Sequence, residues 1–132
     1  ENKPINIFNY GKMKRDFTFI DDIVEGIFRC CFKKPEVCND LNSSFNIDNS
    51  LSAPHKIFNI GNSKPIEILE FLRILEAEIG KPARLNFENI KPGDVVATAA
   101  DTSLLNDWIG FTPKTKIKKG IKLFIDWYRK YY

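Results

Sequence analysis

The sequence lacks several features that would place the chain in a particular class of protein. It contains one methionine, Met13, and does not begin with one, so we expect these 132 residues to be a piece of a longer polypeptide. No apolar run reaches the length of a membrane span, and the first residues have neither the basic nor the apolar block of a signal peptide. We therefore predict no membrane span and no export signal in these residues.

Cysteine and histidine are also scarce. Cys30, Cys31 and Cys38 form an odd set without the spacing of a disulfide framework, which favours a reducing compartment, the cytoplasm. We expect all three to be small buried apolar side chains. One histidine, His55, and two adjacent thiols do not supply the spaced ligand pairs of a zinc site, so we predict no bound metal.

The basic residues are too dispersed to predict a nucleic-acid surface. Twenty lysines and arginines against 17 acidic residues give a net charge of +3. Their small clusters, at 12–15, 33–34 and 114–119, accompany no recognisable nucleic-acid motif. We interpret these clusters as solvated helix ends and turns and predict no nucleic-acid partner.

The chain also lacks a dinucleotide-binding glycine motif. Its seven glycines stand at 11, 26, 61, 80, 93, 110 and 120, too far apart for the turn that lets backbone approach a pyrophosphate. Tyr10 and Lys14 have the Tyr-x-x-x-Lys spacing of a known catalytic pair, but that spacing works only on one face of a helix. Gly11 places Tyr10 in a turn between strands, so we reject the match.

What the sequence does contain is an alternation of short strands and amphipathic helices around enough apolar residues for one core, 43% of the chain. Strands are predicted at 5–8, 15–20, 56–60 and 84–87. Helices are predicted from Asp21 or Asp22 to Pro35, from Ser63 and Pro65 to Gly80, from Asp101 to Gly110, and from Thr115 onward. The polar stretch 36–55 is predicted to be a long loop that moves or covers a site. The fold class is α/β, with strands so short that we expect the sheet to begin elsewhere in a larger chain.

Turn residues at the ends of the predicted strands are the candidate binding groups. Arg15 follows a flexible turn, Asn59 leads into a helix N-terminus, and Lys91 and Asp94 share a Pro-Gly turn. A guanidinium fork suits a phosphate, a helix N-terminus favours anions, and a carboxylate suits ribose hydroxyls. Each residue also has a structural alternative as a surface ion pair, a turn or a helix cap.

Taken in order, three segments resemble the C-terminal part of the NAD-dependent epimerase/dehydratase family, the extended short-chain dehydrogenases. The segments are YGKMKRDFTFIDDIVEGI, SAPHKIFNIGNSKPIEILEFL and the stretch from KPGDVVATAAD to the final DWYRKYY. The resemblance covers nearly the whole chain except 36–48. Four short motifs point to the branch of UDP-glucuronate 4-epimerases, also called capsular polysaccharide biosynthesis proteins: Ser52-Ala53-Pro54, Asn59 to Ser63, Pro92 to Val95, and Asp126-Trp127-Tyr128.

The resemblance implies that residues 1–132 are the C-terminal nucleotide-sugar-binding domain, without the N-terminal Rossmann domain that holds NAD and the catalytic Tyr and Lys. No residue here is then catalytic. By the family's pattern, the strand Ile7-Phe8 meets the uracil with its backbone, Arg15 meets the diphosphate, Asn59 lies near the phosphates, and Asp94 meets the ribose. Lys91 stands where many relatives have Arg and the uronate branch often has Gln, and it lacks the planar fork of Arg, so its role is open.

The implied activity belongs to the whole enzyme, an isomerase that is expected to be a cytoplasmic homodimer. NAD takes a hydride from C4 of UDP-glucuronate, the 4-keto sugar turns in the site, and the hydride returns to the other face to give UDP-galacturonate. The fragment alone is expected to be inactive and to dock on its own N-terminal domain through Phe17, Phe19, Ile57 and Phe58. Two alternatives remain open: a dehydratase or decarboxylase of the same family, and a non-catalytic nucleotide-binding module.

Overall fold

The computed structural model describes residues 3–35 and 54–132. Four short strands are present there: β1 (Ile5–Ile7), β2 (Lys14–Arg15), β3 (Ile66–Glu67) and β4 (Leu85–Phe87). Four helices alternate with them: α1 (Ile20–Cys30), α2 (Ile68–Ile79), α3 (Ser103–Ile109) and α4 (Ile117–Tyr131). A 3₁₀ turn, Phe8–Gly11, follows β1. The predicted α/β class with short strands and four helices is confirmed for the described residues.

The strands pair as two separate ribbons. β1 runs parallel to β4, with Ile7 opposite Phe87, and β2 runs antiparallel to β3, with Arg15 opposite Ile66. A single bridge from Lys14 to Ala97 extends the second ribbon. Two-stranded ribbons are marginal on their own in water, so their stability depends on the helices packed against them.

The core lies between the helices and the strands that they cover. Phe17 stacks on Phe71 of α2 with ring centroids 4.3 Å apart, and α2 packs along α4. Gly120 lets α4 approach Phe19, because a Cβ there would lie 3.1 Å from the Phe19 ring. The buried apolar side chains are Ile7, Met13, Leu72, Leu105, Phe111, Ile121 and Ile125.

The predicted helix ends are confirmed where glycine sets them. α2 ends at Ile79 and α3 at Ile109, and the glycine after each, Gly80 and Gly110, has a positive φ of 80° and 62°. Only glycine adopts that left-handed conformation without a steric penalty, which is why it closes helices.

Two strand predictions are wrong. Of the predicted strand 15–20 only Arg15 lies in a strand, because the Asp16 amide turns to the Thr98 hydroxyl and Phe19 becomes the N-cap of α1. The segment 56–60 forms no strand with any described residue; Phe58 packs against Trp108 instead. In both segments the β-branched and aromatic side chains pack against other elements, and the backbone does not pair as a strand. Short apolar runs do not distinguish these two cases.

The helix starts also differ from the predictions. α1 begins at Ile20, so Asp21 and Asp22 lie in its first turn and not at the N-cap. α2 begins at Ile68, because β3 occupies the residues after Pro65. α4 begins at Ile117, because the Thr115 amide donates to Asp22.

The prediction of buried cysteines is wrong in part. Cys31 is exposed and Cys30 is half-buried, since α1 ends at Cys30 and the chain then leaves the core. Cys38 and most of the predicted loop 36–55 fall outside the described residues.

Candidate functional site

Two of the candidate residues, Arg15 and Asp94, meet in one place. Arg15 ends β2, and its Nη2 lies 3.6 Å from Asp94 Oδ1, with 24% and 34% of the two side chains exposed. Arg15 Nη1 donates to the Lys14 carbonyl at 2.9 Å and to the Val96 carbonyl at 3.4 Å. The guanidinium is therefore anchored on one side by backbone while its other side remains at the surface, an arrangement suited to an anionic ligand.

The direction of Asp94 is set by the turn before it. The Asp94 amide donates to the Lys91 carbonyl at 3.1 Å, and Gly93 has a φ of 85°. A positive φ at the third residue of a four-residue turn is the type II geometry that favours glycine. The Pro-Gly pair thus aims Asp94 back toward β2, as the turn prediction required.

Lys91 does not join Arg15 and Asp94. Its Nζ lies 2.9 Å from Glu88 Oε2 and 5.0 Å from the centre of the Phe8 ring, and 57% of its side chain is exposed. Lys91 therefore belongs with Phe8, at the end of β1.

The end of β1 is tied to β4 by backbone. Glu88 donates its amide to the Ile7 carbonyl at 2.9 Å, and the Tyr10 amide donates to the Glu88 carbonyl at 3.1 Å. Ile7 is buried, so its backbone and side chain are already used by the fold. Phe8 is half-buried and is the member of the predicted pair whose side chain reaches the surface.

Asn59 lies on an exposed turn that is held from two sides. Its Nδ2 donates to the Asp101 carbonyl at 3.3 Å. A few residues on, the amides of Ser63 and Lys64 donate to the Asp16 carboxylate at 2.9 and 3.3 Å.

Asp16 is the residue that the sequence reasoning missed. It is not one of the predicted binding groups, yet its carboxylate accepts three backbone hydrogen bonds from two loops. Two come from Ser63 and Lys64, and the third comes from the Ala100 amide at 3.1 Å. The amides that it binds are 47, 48 and 84 residues away along the chain, so no local sequence pattern could have indicated this role.

The rejection of the Tyr10 and Lys14 pair agrees with the structure. Tyr10 lies in the 3₁₀ turn with a φ of 52°, whereas Lys14 lies on β2. The two side chains do not share a helix face.

The described residues provide no glycine turn of the kind that would cradle NAD. Among the described residues only Gly61 stands between an extended segment and a helix in the way that a dinucleotide site requires, and the space of its missing Cβ is filled by Ala100 and by Asp16 Oδ2 at 2.9 Å. No cradle for a pyrophosphate is left there. That NAD binds outside these residues stays a prediction.

Other surfaces of the described residues add little to this site. A cavity of about 330 Å³ lies between α2 and α4. It is lined mainly by apolar side chains such as Phe17 and Phe124, and Arg15 is not among its lining residues. No group of metal-ligating side chains occurs in residues 3–35 and 54–132. None of the helices described is long and apolar enough to cross a membrane.

One titratable group near the site has a shifted pKa. The Asp101 carboxylate accepts hydrogen bonds from the Ser103 amide and hydroxyl, at 3.0 and 2.7 Å, which lower its pKa below the usual 3.8. These bonds stabilise the charged form of Asp101 just before α3. The prediction that Asp101 is the N-cap is wrong by one residue, because the N-cap position is Thr102.

Comparison with known proteins finds relatives that include UDP-glucuronate 4-epimerases. It is 43% identical over 132 residues to Protein CapI of Staphylococcus aureus. The alignment covers 99% of this chain and 39% of that protein. It is 36% identical over 131 residues to a probable UDP-glucuronate 4-epimerase of Rhizobium meliloti, covering 98% of this chain and 38% of that protein. No family model matches.

The fold agrees with the sequence comparison. The structure superposes with a TM-score of 0.74 and 27% identity on the UDP-glucuronic acid 4-epimerase of Bacillus cereus, solved in complex with UDP-glucuronic acid and NAD. The match covers 99% of this chain and 37% of that one. The resemblance to the NAD-dependent epimerase/dehydratase family is confirmed. The chain corresponds to the C-terminal part of these epimerases and spans less than half of their length.

Proposed function

We propose that this chain is the UDP-sugar-binding part of an NAD-dependent nucleotide-sugar 4-epimerase that interconverts UDP-glucuronate and UDP-galacturonate. The observation that carries the proposal is the meeting of Arg15 and Asp94 at the surface, in a chain that is similar over its whole length to UDP-glucuronate 4-epimerases.

Arg15 is proposed to bind the diphosphate. Two backbone carbonyls hold its Nη1, so the direction of the guanidinium is fixed before a ligand arrives. A fork held in this way loses little side-chain entropy on binding, and its charge-assisted hydrogen bonds to phosphate are among the strong ones.

Asp94 is proposed to bind the ribose. A carboxylate accepts from both vicinal hydroxyls, and the ion pair with Arg15 keeps its own negative charge from repelling the diphosphate nearby. Asn59 is proposed to lie near the phosphates. In this structure its side-chain amide donates to the Asp101 carbonyl.

The uracil is proposed to lie at the end of β1. Because the Ile7 carbonyl is bonded to Glu88, we assign the contact mainly to Phe8, with Lys91 beside its ring. An aromatic face suits a pyrimidine, and the ion pair of Lys91 with Glu88 makes that lysine a weaker contributor than Arg15.

The chain's share of the reaction is binding and orientation. Binding energy from the nucleotide half of a substrate, which does not react, positions the sugar for chemistry elsewhere. The hydride chemistry would be supplied by NAD held outside these residues, in an N-terminal domain of the same polypeptide, and the whole enzyme is proposed to be a cytoplasmic homodimer.

An exposed apolar stripe on α1 supports the proposal of a missing domain. Ile20, Val24 and Phe28 recur every four residues along α1 and are 60%, 56% and 58% exposed. Phe32, two residues beyond the end of the helix, is 75% exposed and packs edge-on against Phe28. Residues at this spacing share one helix face, and an unpartnered apolar face of this size marks an interaction surface. Of the four residues expected to dock, only Ile57, 78% exposed, is similarly open, whereas Phe17, Phe19 and Phe58 are half-buried.

A titration with two ligands tests the proposed site. The test uses the full polypeptide that the gene encodes, here called the encoded polypeptide. It is titrated with UDP and with uridine by calorimetry. We expect UDP to bind at least about tenfold more tightly than uridine, since the diphosphate gains charge-assisted bonds from Arg15. Absence of UDP binding, or equal affinity for the two, would contradict the proposal.

A further inference from the structure

The carboxylate of Asp16 joins two separate stretches of backbone to the end of β2. Oδ2 accepts from the Ser63 amide at 2.9 Å and from the Ala100 amide at 3.1 Å, and Oδ1 accepts from the Lys64 amide at 3.3 Å. The Asp16 amide in turn donates to the Thr98 hydroxyl at 3.3 Å.

The end of β2 and those two stretches carry the proposed binding groups. β2 ends with Arg15, one residue before Asp16, and the turn that reaches Ser63 carries Asn59. The segment that reaches Ala100 begins with Asp94 and includes Val96, whose carbonyl holds the Arg15 guanidinium. Asp16 is thus the common point from which the spacing of Arg15, Asn59 and Asp94 is set.

The turn formed by residues 59–63 packs closely against the segment that contains Ala100. Gly61 is buried, and a Cβ there would collide with the Ala100 side chain and come within 2.9 Å of Asp16 Oδ2. Ser63 has a φ of 55°, an uncommon conformation for this residue, and its hydroxyl donates to the Ala100 carbonyl at 2.8 Å. Backbone in such a conformation persists only where surrounding contacts stabilise it, and the hydrogen bond from the Ser63 amide to Asp16 is such a contact.

We infer that Asp16 is a positioning residue for UDP recognition: it binds no ligand itself but fixes the Asn59 turn and the Asp94 segment relative to Arg15. The inference rests on the proposed function. Neither the comparisons nor the family pattern used above assigns a role to Asp16.

The test compares Asp16 with a second carboxylate of the same kind. Asp22 is buried, and its Oδ2 accepts from the Lys114 and Thr115 amides at 3.3 and 2.8 Å, in a part of the fold that carries no proposed binding group. Asp16→Ala, Asp16→Asn and Asp22→Ala are made in the encoded polypeptide. UDP affinity is measured by calorimetry well below the melting temperature of each variant.

We expect Asp16→Ala to weaken UDP binding by about tenfold or more, since small displacements of positioning groups are costly. Asp16→Asn is expected to lose less, because its one amide oxygen still accepts. Asp22→Ala is expected to lower the melting temperature while leaving UDP affinity within about twofold. If Asp16→Ala does not fold, Gly61→Ala, which displaces the same turn, replaces it.

A double-mutant cycle then separates positioning from general stability. In an Asn59→Ala background the loss caused by the Asp16 variant is expected to shrink, since the group that it positions is gone. Additive losses, unchanged affinity in the Asp16 variant, or an equal loss in Asp22→Ala would overturn the inference and leave the proposed function standing. Failure of the unchanged polypeptide to bind UDP would overturn both.

Discussion

Arg15 and Asp94 lie close enough that a change in one alters the other. Removing Arg15 leaves Asp94 as an unpaired carboxylate beside an incoming diphosphate, whereas removing the charge of Asp94 frees the guanidinium for phosphate. The two substitutions are therefore expected to differ in size even though they break the same ion pair.

Arg15→Ala is expected to weaken UDP binding by about 10- to 100-fold, and Asp94→Asn by less, because an amide oxygen still accepts from a ribose hydroxyl. Calorimetry and thermal unfolding on the same samples give both quantities. Arg29→Ala is the matched control, since Arg29 forms an exposed ion pair with Glu25 at 2.6 Å and lies on α1. A lower melting temperature with unchanged UDP affinity in Arg15→Ala would show that the arginine is structural.

The residues of the site illustrate what the sequence could supply. Side-chain chemistry made Arg15 and Asp94 separate candidates, each with a structural alternative, and only the family resemblance assigned both to one ligand. The ion pair of Lys91 with Glu88 is local, but the position of Lys91 beside Phe8 depends on the pairing of β1 with β4, which are some 80 residues apart. The role of Asp16 depends on amides that are 47 and 84 residues away, so no local signal indicates it.

At the scale of elements, the helices were more predictable than the strands. Amphipathic periodicity and the glycines after α2 and α3 are local properties, and the predicted ends of these two helices are those observed. The end of α1 is not, because this helix stops at Cys30, before the predicted Pro35. A strand requires a partner, and the partners of β1 and β2 are some 80 and 50 residues distant. The segments 15–20 and 56–60 have strand-like composition but find no such partner among the described residues.

The start of α3 predicts a pH dependence. The pKa of Asp101 is lowered by Ser103, so its stabilising effect is full above the ordinary value of 3.8 and is lost as the pH falls through the lower folded-state pKa. Asp101→Asn should therefore lower the melting temperature at neutral pH, and the difference from the unchanged chain should vanish in acid. Asp107→Asn makes the same charge change on α3 without the Ser103 bonds, and a pH-dependent difference of equal size there would contradict the assignment.

At the scale of the whole molecule, the apolar stripe of α1 is an exposed surface that is expected to need a partner. The 132-residue chain alone is expected to self-associate through it at high concentration and to dissociate on dilution. Phe28→Asp should reduce this association, whereas Leu123→Asp on α4, 41% exposed, should not. Sedimentation equilibrium provides the measurement, and a monomer at all concentrations would contradict the expected role of the stripe.

The central claim is that the polypeptide containing this chain epimerises a UDP-hexuronate at C4. The most direct measurement is product analysis by NMR of the encoded polypeptide incubated with UDP-glucuronate and NAD. The account predicts UDP-galacturonate, formed without loss of carbon and approaching the same mixture from either sugar. Release of carbon dioxide with a UDP-pentose, a dehydrated product, or unreacted UDP-glucuronate would contradict it.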